Sequence, residues 1–197
     1  MSLVTTSEME RRGIPTQGYA RTYSLTDGFV ITRRFFRNYG AGIFWDRIRS
    51  HLLGGRRRML SVGCGSGEEP YSIAMIAASL GLEAEVVGLD LLPENIGVAR
   101  KALYPSDPTD PAAFDFLRED VPPEFRKYFI PAENRRWRVD DNVRQRVKFE
   151  QADIRSSDIS VYRPDIVVCR NLLYYFDLET QNRLREKLQK AAPAALV

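Results

Sequence analysis

The stretch Met59-Leu60-Ser61-Val62-Gly63-Cys64-Gly65-Ser66-Gly67-Glu68-Glu69-Pro70 decides the reading of this chain. Met59 to Val62 is a short apolar run behind Arg56 to Arg58, and it predicts a buried strand. The run enters a Gly-x-Gly-x-Gly loop, whose residues without a β-carbon let the backbone turn sharply or approach a ligand. Glu68, Glu69 and Pro70 then start a helix: proline suits a first turn whose N–H groups have no intrahelical partner, and acidic side chains favour the positive helix end. Ile73, Ile76, Ala77 and Leu80 fall at i, i+3, i+4 and i+7, which predicts one buried face, and Gly81 suits the stop. Glu85 to Leu89 predicts a second strand that ends in Asp90, with a helix from Pro93 to Leu103 behind it. Strand, glycine loop, helix and strand make a βαβ unit, so the fold class is α/β with a parallel sheet.

On the N-terminal side, residues 1 to 28 show no sustained periodicity and read as an irregular lead. Phe35, Phe36, Ile43, Phe44, Ile48 and Leu52 recur at mostly helical spacing with Gly40 and Gly42 between them, which predicts two short helices ending at Gly54-Gly55. On the C-terminal side, Pro and Asp between Tyr104 and Asp120 break any regular element. Pro122 to Phe129 reads as a short helix, Arg136 to Val139 as a short strand, and Val147 to Gln151 as a sheet strand running to Asp153. Asp165 to Cys169 is almost wholly apolar, as expected for a strand covered on both faces. Asp177 suits a helix cap, and Leu184, Leu188 and Ala191 give that helix an inner face. Ala195-Leu196-Val197 can at most begin another strand.

At 197 residues and 22.6 kDa, with 44% hydrophobic and 28% charged residues, the chain has the size and composition of one globular domain. It contains no apolar run near the roughly 18 residues of a membrane helix and no secretory leader pattern, so a cytoplasmic location is expected. Cys64 and Cys169 each close an apolar stretch and read as reduced core residues. A single histidine, His51, excludes a site built on two imidazoles, and no metal is expected. Residues 1 to 60 hold eleven arginines against Glu8, Glu10, Asp27 and Asp46, a net +7, and the whole-chain charge of +3 then leaves −4 on the rest. A basic leading segment steers toward acidic surfaces.

Asp90 lies 23 residues after Gly67, the arrangement in which a carboxylate takes ribose hydroxyls beside a glycine loop. Dinucleotide sites place a pyrophosphate over the helix N-terminus. Here Glu68 and Glu69 would repel it, so a cationic or zwitterionic adenosine ligand fits better. S-adenosylmethionine (SAM) has that chemistry.

Gly63-Cys64-Gly65-Ser66-Gly67-Glu68-Glu69-Pro70-Tyr71-Ser72-Ile73-Ala74 and Cys169-Arg170-Asn171-Leu172-Leu173-Tyr174-Tyr175-Phe176-Asp177 closely resemble the two signature stretches of the chemotaxis receptor glutamate O-methyltransferases. Phe35-Phe36-Arg37, Pro122-Pro123-Glu124-Phe125, Tyr128-Phe129, Arg144, Val147 and Phe149 extend the likeness from about Val30 to Lys190. The resemblance implies a Rossmann-like SAM-dependent methyltransferase sheet, C-terminally shortened, with a small inserted subdomain. It implies a basic lead and short helices over residues 1–54, and a methyltransferase core over 55–197 with an insertion at about 104–146. It places Gly63 and Gly65 in the cofactor loop, Glu69 at the amino acid part of the cofactor, and Asp90 on the ribose. Asp153 and Ile154 fall at the adenine, where the family commonly has Asn first and Asp153 can still accept from the exocyclic amine. Asn171 and Leu172 fall at the methionine portion, and Arg37 and Tyr175 beside the transferring methyl.

The implied activity is methyl ester formation on glutamate side chains of an acidic, chemoreceptor-like protein, with S-adenosylhomocysteine (SAH) as product and without nucleic acid or membrane insertion. Ile31-Thr32-Arg33 stand where the family has Asn-Glu-Thr, and the family's preceding helical domain and last two strands have no counterpart. The altered segment keeps a second reading open, a non-catalytic SAM- or SAH-binding signalling module, alongside a methyltransferase with a different acceptor. Without the last strands, Asp165 to Cys169 would form an apolar sheet edge, for which a second copy of the chain is the expected cover.

Overall fold

Alternate residues of the first strand, β1 (Arg58–Val62), enter two different cores, which fixes the strand between two helical layers. A computed structural model of the chain describes residues 34–40, 43–105, 116–192 and 194–196. Met59 joins Val86, Phe149, Ile166 and Val168 on one face of the sheet, whereas Leu60 and Val62 join Val87, Leu89 and Val167 on the other. Strands β2 (Glu85–Asp90), β6 (Val147–Gln151), β7 (Ile166–Val168) and β8 (Ala194–Leu196) complete a five-stranded sheet in the order β6-β2-β1-β7-β8. Every pairing in it is parallel. The chain leaves β1 toward β2 and β6, then crosses back to β7. Ligands in such open sheets bind at this reversal, outside the carboxyl ends of the strands.

Helix α1 (Phe44–Leu53) and helix α2 (Glu68–Ser79) cover one face, with α3 (Pro93–Lys101) beside β2 and β6. Helix α6 (Leu178–Ala191) covers the other through Leu184 and Leu188. The sequence pattern gives α2 a single buried stripe, but Glu68 and every residue from Pro70 to Ala77 are buried, because α2 lies between the sheet, α1 and a second sheet. That second sheet is antiparallel, in the order β3-β5-β4, from β3 (Leu103–Pro105), β4 (Phe129–Ala132) and β5 (Arg136–Val139). The short helices α4 (Phe116–Glu119) and α5 (Asp141–Arg144) accompany it. No described helix is long and apolar enough to cross a membrane.

Several sequence expectations are corrected. The helix expected to reach Leu103 stops at Lys101, because Ala102 turns left-handed at φ +53° and its carbonyl accepts the Val139 N–H, opening β3. The excursion from Tyr104 to Asp120 carries the end of β3 and all of α4, with 106–115 outside the described residues. Of the two helices expected over 35–52, only α1 is present among the described residues; 35–40 form turns with Phe36 at φ +45° and Asn38 at φ +60°. The short helix expected over Pro122 to Phe129 is a 3-10 helix over Pro123–Tyr128, and β4 follows it, a strand the sequence reading did not assign. Strand β7 is not a bare edge: Ala194, Ala195 and Leu196 pair with Ile166, Val167 and Val168. Ile31-Thr32-Arg33 and the irregular lead lie outside the described residues.

Asp165 locks the entry to β7 against β1. Its Oδ2 accepts the N–H groups of Arg57 and Arg58 at 2.9 and 2.8 Å, and its Oδ1 accepts from the Arg58 guanidinium at 2.9 Å. Burial pushes this carboxyl up, but the Arg58 side chain and the two N–H groups outweigh it and hold the pKa at about 2, below the ordinary 3.8. A depressed folded-state pKa contributes stability above the unfolded value that is lost as pH falls through the folded one. Urea titrations of wild type should therefore lose stability from about pH 4 to about pH 2, and Asp165→Asn should start less stable and flatten that slope. An unchanged slope would remove Asp165 from the account.

Candidate active site

A cavity opens where the sheet reverses direction, and together with the open solvent at its mouth it holds about 1160 Å³ of empty space. All ten residues singled out from sequence line it: Arg37, Gly63, Gly65, Glu69, Asp90, Asp153, Ile154, Asn171, Leu172 and Tyr175. They come from five separate segments, and the strand ends bring them together.

The glycine loop turns because its glycines sit at positive φ: Gly63 at +72°, Gly65 at +56° and Gly67 at +96°. A β-carbon on Gly67 would meet Ala99 and Phe149 at 2.9 Å, so only glycine lets α2 start this close to α3 and β6. The N–H groups of Gly63 and Cys64 donate to the Leu89 carbonyl at 2.8 and 2.9 Å, which carries the loop across the end of β2. Asp90 meets it there. Its Oδ2 accepts the Gly65 N–H at 2.8 Å, and its Oδ1 accepts the Leu92 N–H at 2.9 Å and the Asn95 amide at 3.0 Å. Burial raises the Asp90 pKa, against the pull of these three donors. A carboxylate offers about four acceptor positions, so capacity remains for a donor in the cavity.

The adjacent acids Glu68 and Glu69 do different work. Glu68 is buried and accepts the Ser66 hydroxyl at 2.7 and 2.9 Å, closing the loop on itself. Glu69 accepts the Ser61 hydroxyl at 2.9 Å on Oε1 and pairs with Arg170 at 3.4 Å on Oε2. Burial raises the Glu69 pKa, and the Arg170 charge is the largest force against it.

Arg37 reaches the cavity because its neighbours are clamped. The Phe35 ring packs 4.8 Å from Tyr104, 5.3 Å from Phe116 and 4.9 Å from Phe129; Phe36 stacks 4.3 Å from Phe125. The Phe36 N–H donates to the Ser72 hydroxyl at 3.0 Å, which holds its unusual left-handed backbone. The Arg37 guanidinium then donates to the Asn171 side-chain oxygen, and Asn171 itself is left-handed at φ +56°. Tyr175 is buried, with the Tyr174 hydroxyl 3.1 Å from its own.

Asp153 departs from expectation. Sequence gives it an open acceptor for an amine, but both of its oxygens accept from the Arg155 guanidinium, at 2.9 and 3.1 Å from Nε and 2.6 Å from Nη2. Burial pushes this carboxyl up, and Arg155 outweighs burial and holds it below its ordinary value. Sequence reasoning also missed Trp45, Asn95 and Arg170 as cavity residues. Asn95 carried a readable signal as a polar residue in the first turn of the helix after Asp90, and Arg170 lay inside a quoted signature; Trp45 carried none.

Residues 32–195 match the family described as CheR methyltransferase, SAM binding domain. The chain belongs to this family. It is 27% identical over 181 residues to a probable chemotaxis protein methyltransferase of Rhizobium etli, covering 83% of this chain and 64% of that protein. It is 31% identical over 160 residues to chemotaxis protein methyltransferase 1 of Pseudomonas aeruginosa, covering 75% of this chain and 56% of that one. This CheR-family chain thus spans just over half to nearly two thirds of those relatives' length. Among solved structures, the N-terminal domain of EvdMO1 with SAH bound aligns at 16% identity and TM-score 0.45, covering 98% of this chain and 63% of that one.

The residues present fit SAM by their chemistry. Asp90 offers acceptor capacity for a ribose hydroxyl, Glu69 an anion for the ammonium of the tail, and the acidic start of α2 suits a sulfonium where it would repel a phosphate. A β-carbon on Gly63 would lie 3.1 Å from the Leu172 side chain, so glycine keeps that wall of the cavity open. In isothermal titration, Asp90→Ala should weaken SAH by about tenfold to a hundredfold relative to wild type, the loss of one hydrogen bond to a charged group. Equal affinity would take Asp90 out of the site.

Proposed function

We propose that this CheR-family domain transfers the methyl group of SAM to glutamate side chains of a chemoreceptor-like protein, forming methyl esters. The observation that carries the reading is the convergence of the Arg37 guanidinium and Tyr175 on the cavity that also holds Glu69 and Asp90. A glutamate carboxylate with a reference pKa of about 4.3 is already ionised near pH 7. The reaction therefore needs no general base, and the absence of histidine from the cavity lining agrees with that. Bound SAM supplies a methyl group activated by positive sulfur.

The chain's own residues supply placement. Asp90 takes the ribose through a hydroxyl, and Glu69 takes the ammonium. Asp153 and Ile154 line the adenine end; the Arg155 backbone N–H at 2.9 Å and its guanidinium occupy the Asp153 oxygens, so the Ile154 side chain packs the base and Asp153 accepts its amine only where Arg155 yields a position. Asn171 and Leu172 flank the methionine portion. Arg37 holds the incoming carboxylate, and the Tyr175 hydroxyl orients it toward the methyl, so catalysis rests on orientation and on exclusion of water. The excess of arginine over residues 1 to 60 favours an acidic acceptor surface.

Arg37→Ala should lower labelled methyl transfer to a receptor cytoplasmic fragment by about a hundredfold and Tyr175→Phe by about tenfold, in the range for losing one positioned donor. SAH affinity should stay within about threefold in both, because neither group carries ground-state cofactor binding. Full transfer by both variants would overturn the catalytic assignment. Tight SAH binding by wild type without transfer to any receptor fragment would favour the signalling module.

A further inference from the structure

We infer that Arg170 is a positioning residue that holds Glu69 and Arg37 in fixed relation, so that the cofactor-tail carboxylate and the acceptor-binding guanidinium are placed as one unit. The inference rests on the methyl-transfer reading above. Arg170 follows β7 and lines the cavity, and its contacts reach three other segments. One terminal nitrogen lies 3.4 Å from Glu69 Oε2 on α2, and the other donates to the Arg37 backbone carbonyl at 3.4 Å. The Trp45 indole N–H donates to the same carbonyl at 2.9 Å. The Arg37 side chain in turn donates to Asn171, the residue after Arg170, which closes the circuit.

Both polar contacts of Arg170 are longer than the roughly 2.7–2.9 Å of a strong charge-assisted bond. They do not fix the side chain by themselves. The guanidinium lies 4.1 Å above the Phe44 ring and 5.6 Å from Trp45, and this stacking on α1 sets its plane. A planar fork can then address Glu69 with one edge and the Arg37 carbonyl with another. A lysine ammonium is a point charge on a flexible stem and cannot do both from one position.

This geometry separates two functions that Arg170 performs. Neutralising Glu69 requires only a positive charge. The groups facing Glu69 are Arg170, the Ser61 hydroxyl and Arg37, with the thiols of Cys64 and Cys169 also near. Since burial already lifts the Glu69 pKa and Arg170 is the main counterweight, removing the charge lifts it further. An ionised Glu69 is what takes the ammonium, so the acid limb of SAH binding must then move to higher pH. Placing Arg37 requires the stacked fork, and charge alone does not restore it.

The test measures SAH affinity across pH and methyl transfer to a receptor fragment for Arg170→Met, Arg170→Lys and Phe44→Leu, with thermal melts to confirm folding. Arg170→Met should bind SAH about tenfold more weakly at neutral pH, with its acid limb displaced upward, and should transfer poorly. Arg170→Lys should recover affinity and acid limb to within about threefold of wild type while kcat stays about tenfold low. Phe44→Leu, which keeps the charge and stands independent of the Arg170→Met fold, should also lower kcat with affinity nearly unchanged, by about fivefold for one lost cation–π contact. If Arg170→Lys transfers as well as wild type, Arg170 is a charge neutraliser and the positioning role is wrong. If all three variants match wild type, Arg170 has neither role. A wild-type chain that takes no SAH, or transfers no methyl, overturns the methyl-transfer reading and this role with it, and is distinguished from the other outcomes by the wild-type control.

Discussion

The Asp90 carboxylate accepts the backbone N–H of Gly65, and the rest of the cavity is placed relative to that contact. An acid buried at the end of a strand is costly unless donors surround it. Here the donors come from the loop after β1, from the turn after β2 and from the first turn of α3. The requirement to satisfy one carboxylate therefore fixes three segments at once. Gly67, wedged against Ala99 and Phe149, transmits the same constraint to the start of α2 and so to Glu69.

The other wall depends on packing. The turn at 35–40 has no regular hydrogen-bond ladder of its own, and its position comes from Phe35 and Phe36 sunk into aromatic neighbours on the antiparallel sheet, α1 and the 3-10 turn at Pro123–Tyr128. Arg37 inherits its placement from those two rings. Tyr104 strengthens the link between sheet and site, since its hydroxyl donates to the Ser66 carbonyl in the glycine loop at 2.7 Å. The second sheet is thus mechanically joined to both walls of the cavity, one through aromatic burial and one through this hydrogen bond.

Much of this was readable in the sequence, for reasons that are local. The continuous buried run of β1, glycines before an acidic helix start, and an acid at the end of β2 are each written in consecutive residues. The cap at Asp177 is equally local: its side chain accepts the Thr180 N–H at 2.8 Å. What sequence missed is tertiary. Helix α3 ends at an alanine because β5 takes the Ala102 carbonyl, and β4 tolerates its proline inside a small antiparallel sheet. Ala194 to Leu196 form a strand because β7 offers a partner, which three residues alone do not announce. The fork of Arg155 on Asp153 and the seat of Arg170 on Phe44 depend on side-chain directions that no spacing rule supplies.

The central claim is that the cavity at the end of β1 and β2 takes an adenosyl ligand by its ribose on Asp90, with the sulfur toward Arg37. A crystal structure of the chain with SAH measures this directly. A ribose hydroxyl should lie within hydrogen-bond distance of the Asp90 carboxylate, with the ammonium on Glu69 and the sulfur on the side of Arg37 and Tyr175. Ligand bound elsewhere, or bound here with its ribose away from Asp90, would contradict it.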